Sequence, residues 1–294
     1  MMTDNINKKV IVNFSGRMAN QMFQWAFGRA YENKQGIKTQ FDNSQETIKI
    51  NCFKLINDIK LVEKPLFKKV LRKIIFIRSL RNKWSKVDFK LPEVEEKCFC
   101  KYEPELLEQL PPVYFKGYFQ TEKYFVNIRE QLIKDFELNV PLNKANKEML
   151  EKIKSSEAVA VHFRRGDYTK KRVADKYGSC SVDYYKNALK YIYEKTNKDL
   201  KIFVFSDDIN WVKENVKFDF ETVYVGINSG KQGYFDLELM KNCKHNVIAN
   251  SSFSWWGAWL NQNPEKIVIA PKTWMKVLDD DFDIIPTSWT RLEN

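Results

Sequence analysis

Short apolar runs recur along this chain, and most of them stop abruptly at a polar cluster. The sharpest is Ala158 to Val161, followed at once by His162, Arg164, Arg165 and Asp167. A run without alternating polar positions predicts a strand buried on both faces of a parallel sheet. Val10 to Phe14, Val113 to Gly117, Lys201 to Phe205, Thr222 to Val225, Val247 to Ala249 and Ile267 to Ala270 predict further strands. Helical spacing fills the gaps between them. Met22, Trp25, Ala26 and Arg29 align within Met18 to Tyr31, and Tyr124, Phe125, Ile128, Leu132, Ile133 and Phe136 align within Glu122 to Glu137. A helical piece falls within Asn143 to Glu157, and Asp183 to Lys195, Ile209 to Val216, Asp236 to Lys244 and Ser254 to Asn261 predict the remaining helices. Strands alternating with helices predict an α/β fold with doubly wound parallel sheets. The half beginning near Glu157 reads as a Rossmann-like domain, although it has no G-x-G-x-x-G fingerprint. A junction between Leu138 and Glu157 divides the chain into domains 1–150 and 151–294.

Composition narrows the function classes. The 294 residues are 44% hydrophobic, enough for real cores, and no run of 18 uncharged apolar residues offers a membrane span. No apolar leader precedes the first strand, which predicts a cytoplasmic protein. The five cysteines are scattered, and Cys98 and Cys100 are too close for a zinc knuckle, so reduced thiols are expected. Only His162 and His245 occur, which excludes a His-rich metal site. The formal charge of +11 favours anionic partners. Much of it lies in Leu66 to Lys86, which carries Lys68, Lys69, Arg72, Lys73, Arg78, Arg81, Lys83 and Lys86 and no acidic residue. Two readings of this stretch are open: a basic amphipathic helix on an anionic lipid surface, or a helix packed on the core with a solvated basic face. No nucleic-acid module signature is present, so no nucleic-acid partner is expected.

Three strand ends carry the candidate chemistry: His162-Phe-Arg-Arg-Gly-Asp167, Ser206-Asp-Asp208 and Asn250-Ser-Ser-Phe-Ser254. In a parallel sheet such ends open on one edge, where ligands bind. Adjacent arginines there suit a pyrophosphate, which guanidinium groups grip through paired hydrogen bonds. Serines would take phosphate oxygens, and a carboxylate suits the two neighbouring N–H groups of guanine. Ser206, Asp207 and Asp208 also fit the N-cap of the next helix, and for one of the aspartates that is the expected role. Arg17, Asn20 and Gln21 open the first helix, where free backbone N–H groups favour an anion or a hydroxyl. Trp255, Trp256 and Trp259 sit at helical spacing and read as core rather than as a sugar-stacking platform.

The segments SGRMANQMFQWAFGRAYE, VAVHFRRGDY, FVFSDD and LMKNCKHNVIANSSFSWWGAWLN together resemble the α-1,2-fucosyltransferase family, glycosyltransferase family 11, from the first strand to about Asn261. The resemblance implies a GT-B-like fold, with two Rossmann-like doubly wound domains facing across a cleft. It implies GDP-β-L-fucose as donor, inversion at the anomeric carbon, no required metal or other cofactor, and a galactose-terminated glycan as acceptor. It implies that Arg164 and Arg165 hold the pyrophosphate, Asp207 or Asp208 the guanine, and Ser252, Phe253 and Ser254 the phosphate side, with Arg17 joining the donor set. Asn20 would face the fucose and the acceptor. The first loop departs from the family's Gly-Leu-Gly-Asn-Gln-Met: Arg17-Met18-Ala19-Asn20-Gln21-Met22 has Ala19 where a glycine is usual.

Transfer breaks the bond from fucose C1 to a phosphate oxygen, and Arg164 and Arg165 would supply the positive charge that a metal supplies elsewhere. The candidate bases for the acceptor proton are Asp167, His162 and Asp175, in that order; a diphosphate oxygen is the alternative. Asp279-Asp280-Asp281 imitates a metal-holding Asp-x-Asp but reads as a solvated loop. The expected setting is a bacterial enzyme of surface-polysaccharide synthesis, peripheral at the inner membrane, with a lipid-linked acceptor and the basic stretch as a loose tether. The rival readings are a transferase using another GDP-sugar and a non-catalytic glycan or membrane-surface binder.

Overall fold

Val10, Ile11 and Val12 have no solvent exposure, because the strand they form, β1 (Val10–Asn13), lies inside a four-stranded sheet. The computed structural model describes residues 8–44, 46–62, 91–166, 175–277 and 282–294. It divides into two compact units, Met1–Asn139 and Val140–Asn294. In the first unit β1 leads through Gly16, at φ +75°, into helix α1 (Met18–Gln35). Strands β2 (Thr39–Asp42), β3 (Glu93–Glu95) and β4 (Val113–Lys116) complete a parallel sheet of order β2-β1-β4-β3. β2 and β3 are absent from the sequence reading. Both are edge strands, and Glu93-Val94-Glu95 keeps its outer residues in solvent, so neither needs a continuous apolar run.

α1 seats its aromatic face on the sheet at close range. Phe41 stacks on Phe14 at 4.7 Å and on Trp25 at 4.9 Å between centroids. The helix expected over Glu122 to Glu137 is broken into the 3-10 turns Glu122–Tyr124 and Val126–Ile128 and the short helix α2 (Arg129–Asp135). The break is at Phe125, whose backbone leaves the helical region (φ −136°, ψ 7°) while its side chain is fully buried beside Phe23. Burial of that ring overrides the helical spacing.

The second unit opens with helix α3 (Lys144–Lys154), which lies against its first strand; the division therefore falls after Asn139, and a cut at residue 150 would run through this helix. β5 (Glu157–Phe163), α4 (Val182–Thr196), β6 (Leu200–Ser206), α5 (Ile209–Asn215), β7 (Glu221–Val225), α6 (Gly233–Lys241), β8 (His245–Val247), α7 (Ser252–Trp259), β9 (Val268–Pro271) and β10 (Thr290–Leu292) follow. All six strands are parallel, in the order β10-β9-β8-β5-β6-β7. β5 is central, pairing with β6 over its whole length and with β8 on its other side. Tyr184, Tyr185, Ala188, Leu189 and Ile192 of α4 belong to the same core cluster as Val159, Val161, Ile202 and Val204. Trp255, Trp256 and Trp259 are buried, and the Trp255 indole N–H donates to Ile284 O at 2.6 Å, so these rings are core. β8 begins two residues before the expected Val247, because His245 and Asn246 are buried polar residues with partners: His245 Nδ1 accepts from Ile267 N, and Asn246 Nδ2 donates to Met240 O. β10, again an edge strand, is absent from the sequence reading.

Leu66–Lys86, Asp167 and Asp279–Asp281 lie outside the described residues. Among the described residues no helix is long and apolar enough to cross a membrane.

The seating of α1 yields a packing test. A Cβ placed on Gly28 would stand 2.7 Å from Phe41 Cζ. Gly28→Ala is expected to lower unfolding stability by about 1–3 kcal/mol through overpacking, read as a drop in the urea midpoint.

Candidate functional site

β8, β5 and β6 lie side by side and run the same way, so their carboxyl ends open on one edge of the sheet. β5 and β6 end in register, Phe163 opposite Ser206. The chain after β5 carries Arg164, Arg165 and Gly166; the chain after β6 carries Asp207 and Asp208. These residues meet. Arg164 Nη1 is 2.6 Å from Asp207 Oδ2. Asp207 Oδ1 accepts the backbone N–H groups of Arg165 at 2.8 Å and Gly166 at 3.1 Å. Gly166 is required here, since a Cβ on it would stand 2.4 Å from Asp207 Oδ2.

Asp208 is the N-cap of α5, accepting from Trp211 N at 3.4 Å, and its other oxygen is 3.6 Å from Arg165 Nε. The Arg165 guanidinium carbon lies 3.2 Å from the centre of the Trp211 ring. Face-on contact of this kind holds a guanidinium plane while leaving its edge for other partners. Trp211 was not singled out in the sequence. Its signal was its position three residues after an N-cap, which places it in the first turn of α5, on the strand-end edge.

His162, the penultimate residue of β5, is 4% exposed. Its ring lies 5.6 Å from that of Phe253, and Tyr185 Oη donates to its carbonyl at 3.1 Å. Burial, reinforced by the Arg164 charge and opposed by Asp207, lowers its pKa to about 4, so the imidazole is neutral. The neutral ring is thus enclosed in the protein. Asp175 is exposed, and residues 175–177 are helical.

The third cluster divides. Asn250 is spent on the scaffold: its Nδ2 reaches Tyr177 O at 3.0 Å, Gly178 O at 3.2 Å and Trp274 O at 3.1 Å. Ser254, expected on the phosphate side, is 1% exposed and directs its hydroxyl at the carbonyls of Ser251 (3.2 Å) and Ala249 (3.4 Å). One turn into α7, it faces inward. Ser252 and Phe253, the first two residues of α7, are half-buried at the strand-end edge.

In the first unit Arg17 is exposed at the N-cap of α1, and Asn20 Oδ1 accepts from Gln120 Nε2 at 3.0 Å. Gln21 is not presented to a ligand. It is fully buried, donating to Thr47 O at 2.9 Å and accepting from Lys49 N at 2.7 Å, and it ties a loop to the helix. Gln24 does the same for Ser15 and Gly117. Glu96, missed in the sequence, accepts from Tyr118 N at 2.8 Å and Phe119 N at 3.1 Å. Burial raises its pKa to about 7 against those two N–H bonds, with Glu103 adding to the rise. A run reading Glu-Val-Glu-Glu-Lys gives no sign of which carboxyl is drawn in. Among the described residues no group of three or more His, Cys, Asp or Glu could hold a metal ion.

Comparison with known proteins agrees with this architecture. The model of the family described as glycosyl transferase family 11 matches residues 1–291. An Escherichia coli α-1,2-colitosyltransferase is 33% identical over 97% of this chain and 99% of its own length. The Escherichia coli O-antigen biosynthesis glycosyltransferase WbnK is 36% identical over 54% of each chain. A structure of an Arabidopsis thaliana FUT1 mutant in complex with GDP superposes with a TM-score of 0.50 at 9% identity, covering 89% of this chain and 70% of that one. That likeness shows the fold, which is α/β and GT-B-like.

The buried imidazole makes a pH prediction. The folded pKa of His162, about 4, lies below its unfolded value near 6.5, so the unfolded chain takes up the proton first. Its contribution to stability is complete above pH 6.5 and is lost as the pH falls toward 4. Between pH 7.5 and pH 5 the loss is on the order of 1–2 kcal/mol. In His162→Asn that part of the acid slope should vanish. Urea midpoints of both proteins at the two pH values measure it; parallel slopes would refute the assignment.

Proposed function

The chain belongs to glycosyl transferase family 11, and from that premise we propose that it moves L-fucose from GDP-β-L-fucose to the 2-hydroxyl of a terminal galactose, inverting the anomeric carbon and needing no metal. That it is a glycosyltransferase follows from the family; the donor, acceptor and mechanism are the proposal. The observation that carries it is the pair of guanidinium groups set at the carboxyl end of the central strand, among Asp207, Asp208 and Trp211.

The reaction asks for little else at the donor. The acceptor oxygen forms its bond to fucose C1 from the face opposite the diphosphate, and the C1–O bond to phosphate breaks. Both bonding electrons leave with GDP, so negative charge grows on the phosphate oxygens. Arg164 and Arg165, already held by carboxylates and an aromatic face, meet that charge without reorganising. Ser252, the first residue of α7, suits a second phosphate oxygen. Asp208, with 42% of its side chain exposed, is the aspartate able to meet guanine. The acceptor proton goes to a carboxylate or to the departing diphosphate. Asp167 is the first candidate. Asn20, with Gln120 beside it, is assigned to the sugar and acceptor side. The basic stretch Leu66–Lys86 suits an anionic bilayer presenting a lipid-linked acceptor at its cytoplasmic face.

A second reading, transfer of colitose from GDP-colitose, is favoured by the relationship to the Escherichia coli colitosyltransferase along nearly the whole chain. One assay separates them. The protein is incubated with each GDP-sugar and a panel of galactose-terminated glycans in the presence of EDTA, and the product linkage is determined. GDP release matched by an α-1,2-linked fucosyl product is expected. Preference for GDP-colitose would install the second reading, and transfer from neither would overturn both. Arg164→Ala should lower transfer by about 10²–10³-fold, as loss of a donor to a developing oxyanion does.

A further inference from the structure

We propose that Asp207 is the positioning residue of the diphosphate loop, and that it takes no part in reading the nucleotide base. The inference rests on the reading of Arg164 and Arg165 as diphosphate ligands. It concerns what sets those two side chains in place.

Asp207 has two oxygens, and both are engaged in the loop. Oδ1 takes the N–H groups of Arg165 and Gly166; Oδ2 takes the Arg164 guanidinium. One carboxylate thus fixes the path of the backbone after β5 and the direction of the first arginine. Bonds to a charged acceptor are stronger than neutral ones, and here they converge on one group. To meet the paired N–H groups of guanine, Asp207 would have to give up this set. Asp208 is held more loosely, at 3.4 Å from Trp211 N and 3.6 Å from Arg165 Nε, and is the more exposed of the two side chains (42% against 27%).

Arg165 is set by a second device. Its guanidinium lies on the Trp211 ring, and its Nε is buried without a hydrogen-bond partner among the described residues. Two arginines and two aspartates also sum to zero formal charge. Simple charge bookkeeping therefore says that neutralising either aspartate should tighten anion binding. A clamp says the opposite for Asp207 and agrees for Asp208. The two substitutions are predicted to act with opposite sign on an anion that carries no base.

The test is calorimetric titration of the full chain with inorganic pyrophosphate, GDP and UDP, for the wild type, Asp207→Asn and Asp208→Asn. The amide in Asp207→Asn can still accept from the loop backbone, but it turns a donor toward Arg164. Expected for Asp207→Asn is a loss of about tenfold or more for all three ligands, with the GDP-to-UDP ratio unchanged. Expected for Asp208→Asn is equal or tighter pyrophosphate binding with a reduced GDP-to-UDP ratio. Gly166→Ala alters no charge and pushes a methyl against Asp207 Oδ2; it should repeat the Asp207→Asn pattern, and it carries the test if Asp207→Asn does not fold. The proposal is overturned if Asp207→Asn binds pyrophosphate as well as the wild type, or loses GDP preference while pyrophosphate binding stands. If the wild type binds neither pyrophosphate nor GDP, the diphosphate reading fails with it, and the two failures are told apart by that control.

Discussion

Two guanidinium groups carried to the end of a buried strand have to be compensated, and the way they are compensated organises this edge of the molecule. β5 is apolar because sheet neighbours and helices cover it, so Arg164 and Arg165 emerge from a region of low polarity with 17% and 24% of their side chains in solvent. Coulombic attraction at such a place is far stronger than in water. The compensating carboxylates arrive on β6, the strand paired with β5 over its full length, so the register of that ladder delivers Asp207 to Arg164. Parallel pairing, loop shape and charge balance are here one arrangement. Shifting β6 by one residue would turn its side chains over and put Ser206 or Asp208 where Asp207 meets Arg164.

The same economy runs through the polar residues around the site. His162, Asn250 and Ser254 belong to clusters that read as ligand-binding, yet each is buried, and Asn250 and Ser254 spend hydrogen bonds on nearby carbonyls. Asn250 joins the 177–178 turn to Trp274, and Ser254 closes the backbone ahead of α7. Buried polar groups must find partners, and a loop leaving a sheet has many unpaired backbone groups to offer. A polar cluster after a strand is therefore a mixture: part of it shapes the loop, and the remainder faces the ligand.

The first unit repeats the lesson with amides. Gln21 and Gln24 point into the protein and hold Thr47, Lys49, Ser15 and Gly117, so the start of α1 around Asn20 is braced from beneath. Ala19, where the resembling family carries a glycine, is itself buried on α1. Bracing by side chains can hold this start without the glycine.

What the chain reveals by itself is the set of features that depend on local pattern. Continuous apolar runs marked β1, β4, β5, β6 and β9, because a strand covered on both faces is mostly apolar. Their polar termini marked the edge on which Arg164, Arg165, Asp207 and Asp208 gather. Edge strands β2, β3 and β10 escaped notice: β3 and β10 are partly solvated, and β2 buries the polar Thr39 and Asp42 beside Phe41, so none shows a continuous apolar run. The break at Phe125 escaped too, because helical spacing does not record where a ring must be buried. Which aspartate caps α5, which one grips the arginines, that Trp211 lies under Arg165 and that Ser254 faces inward were decided only by the tertiary structure. Each depends on the register of β5 against β6 and on the turn of a helix relative to its sheet, and those are relations between segments distant in sequence.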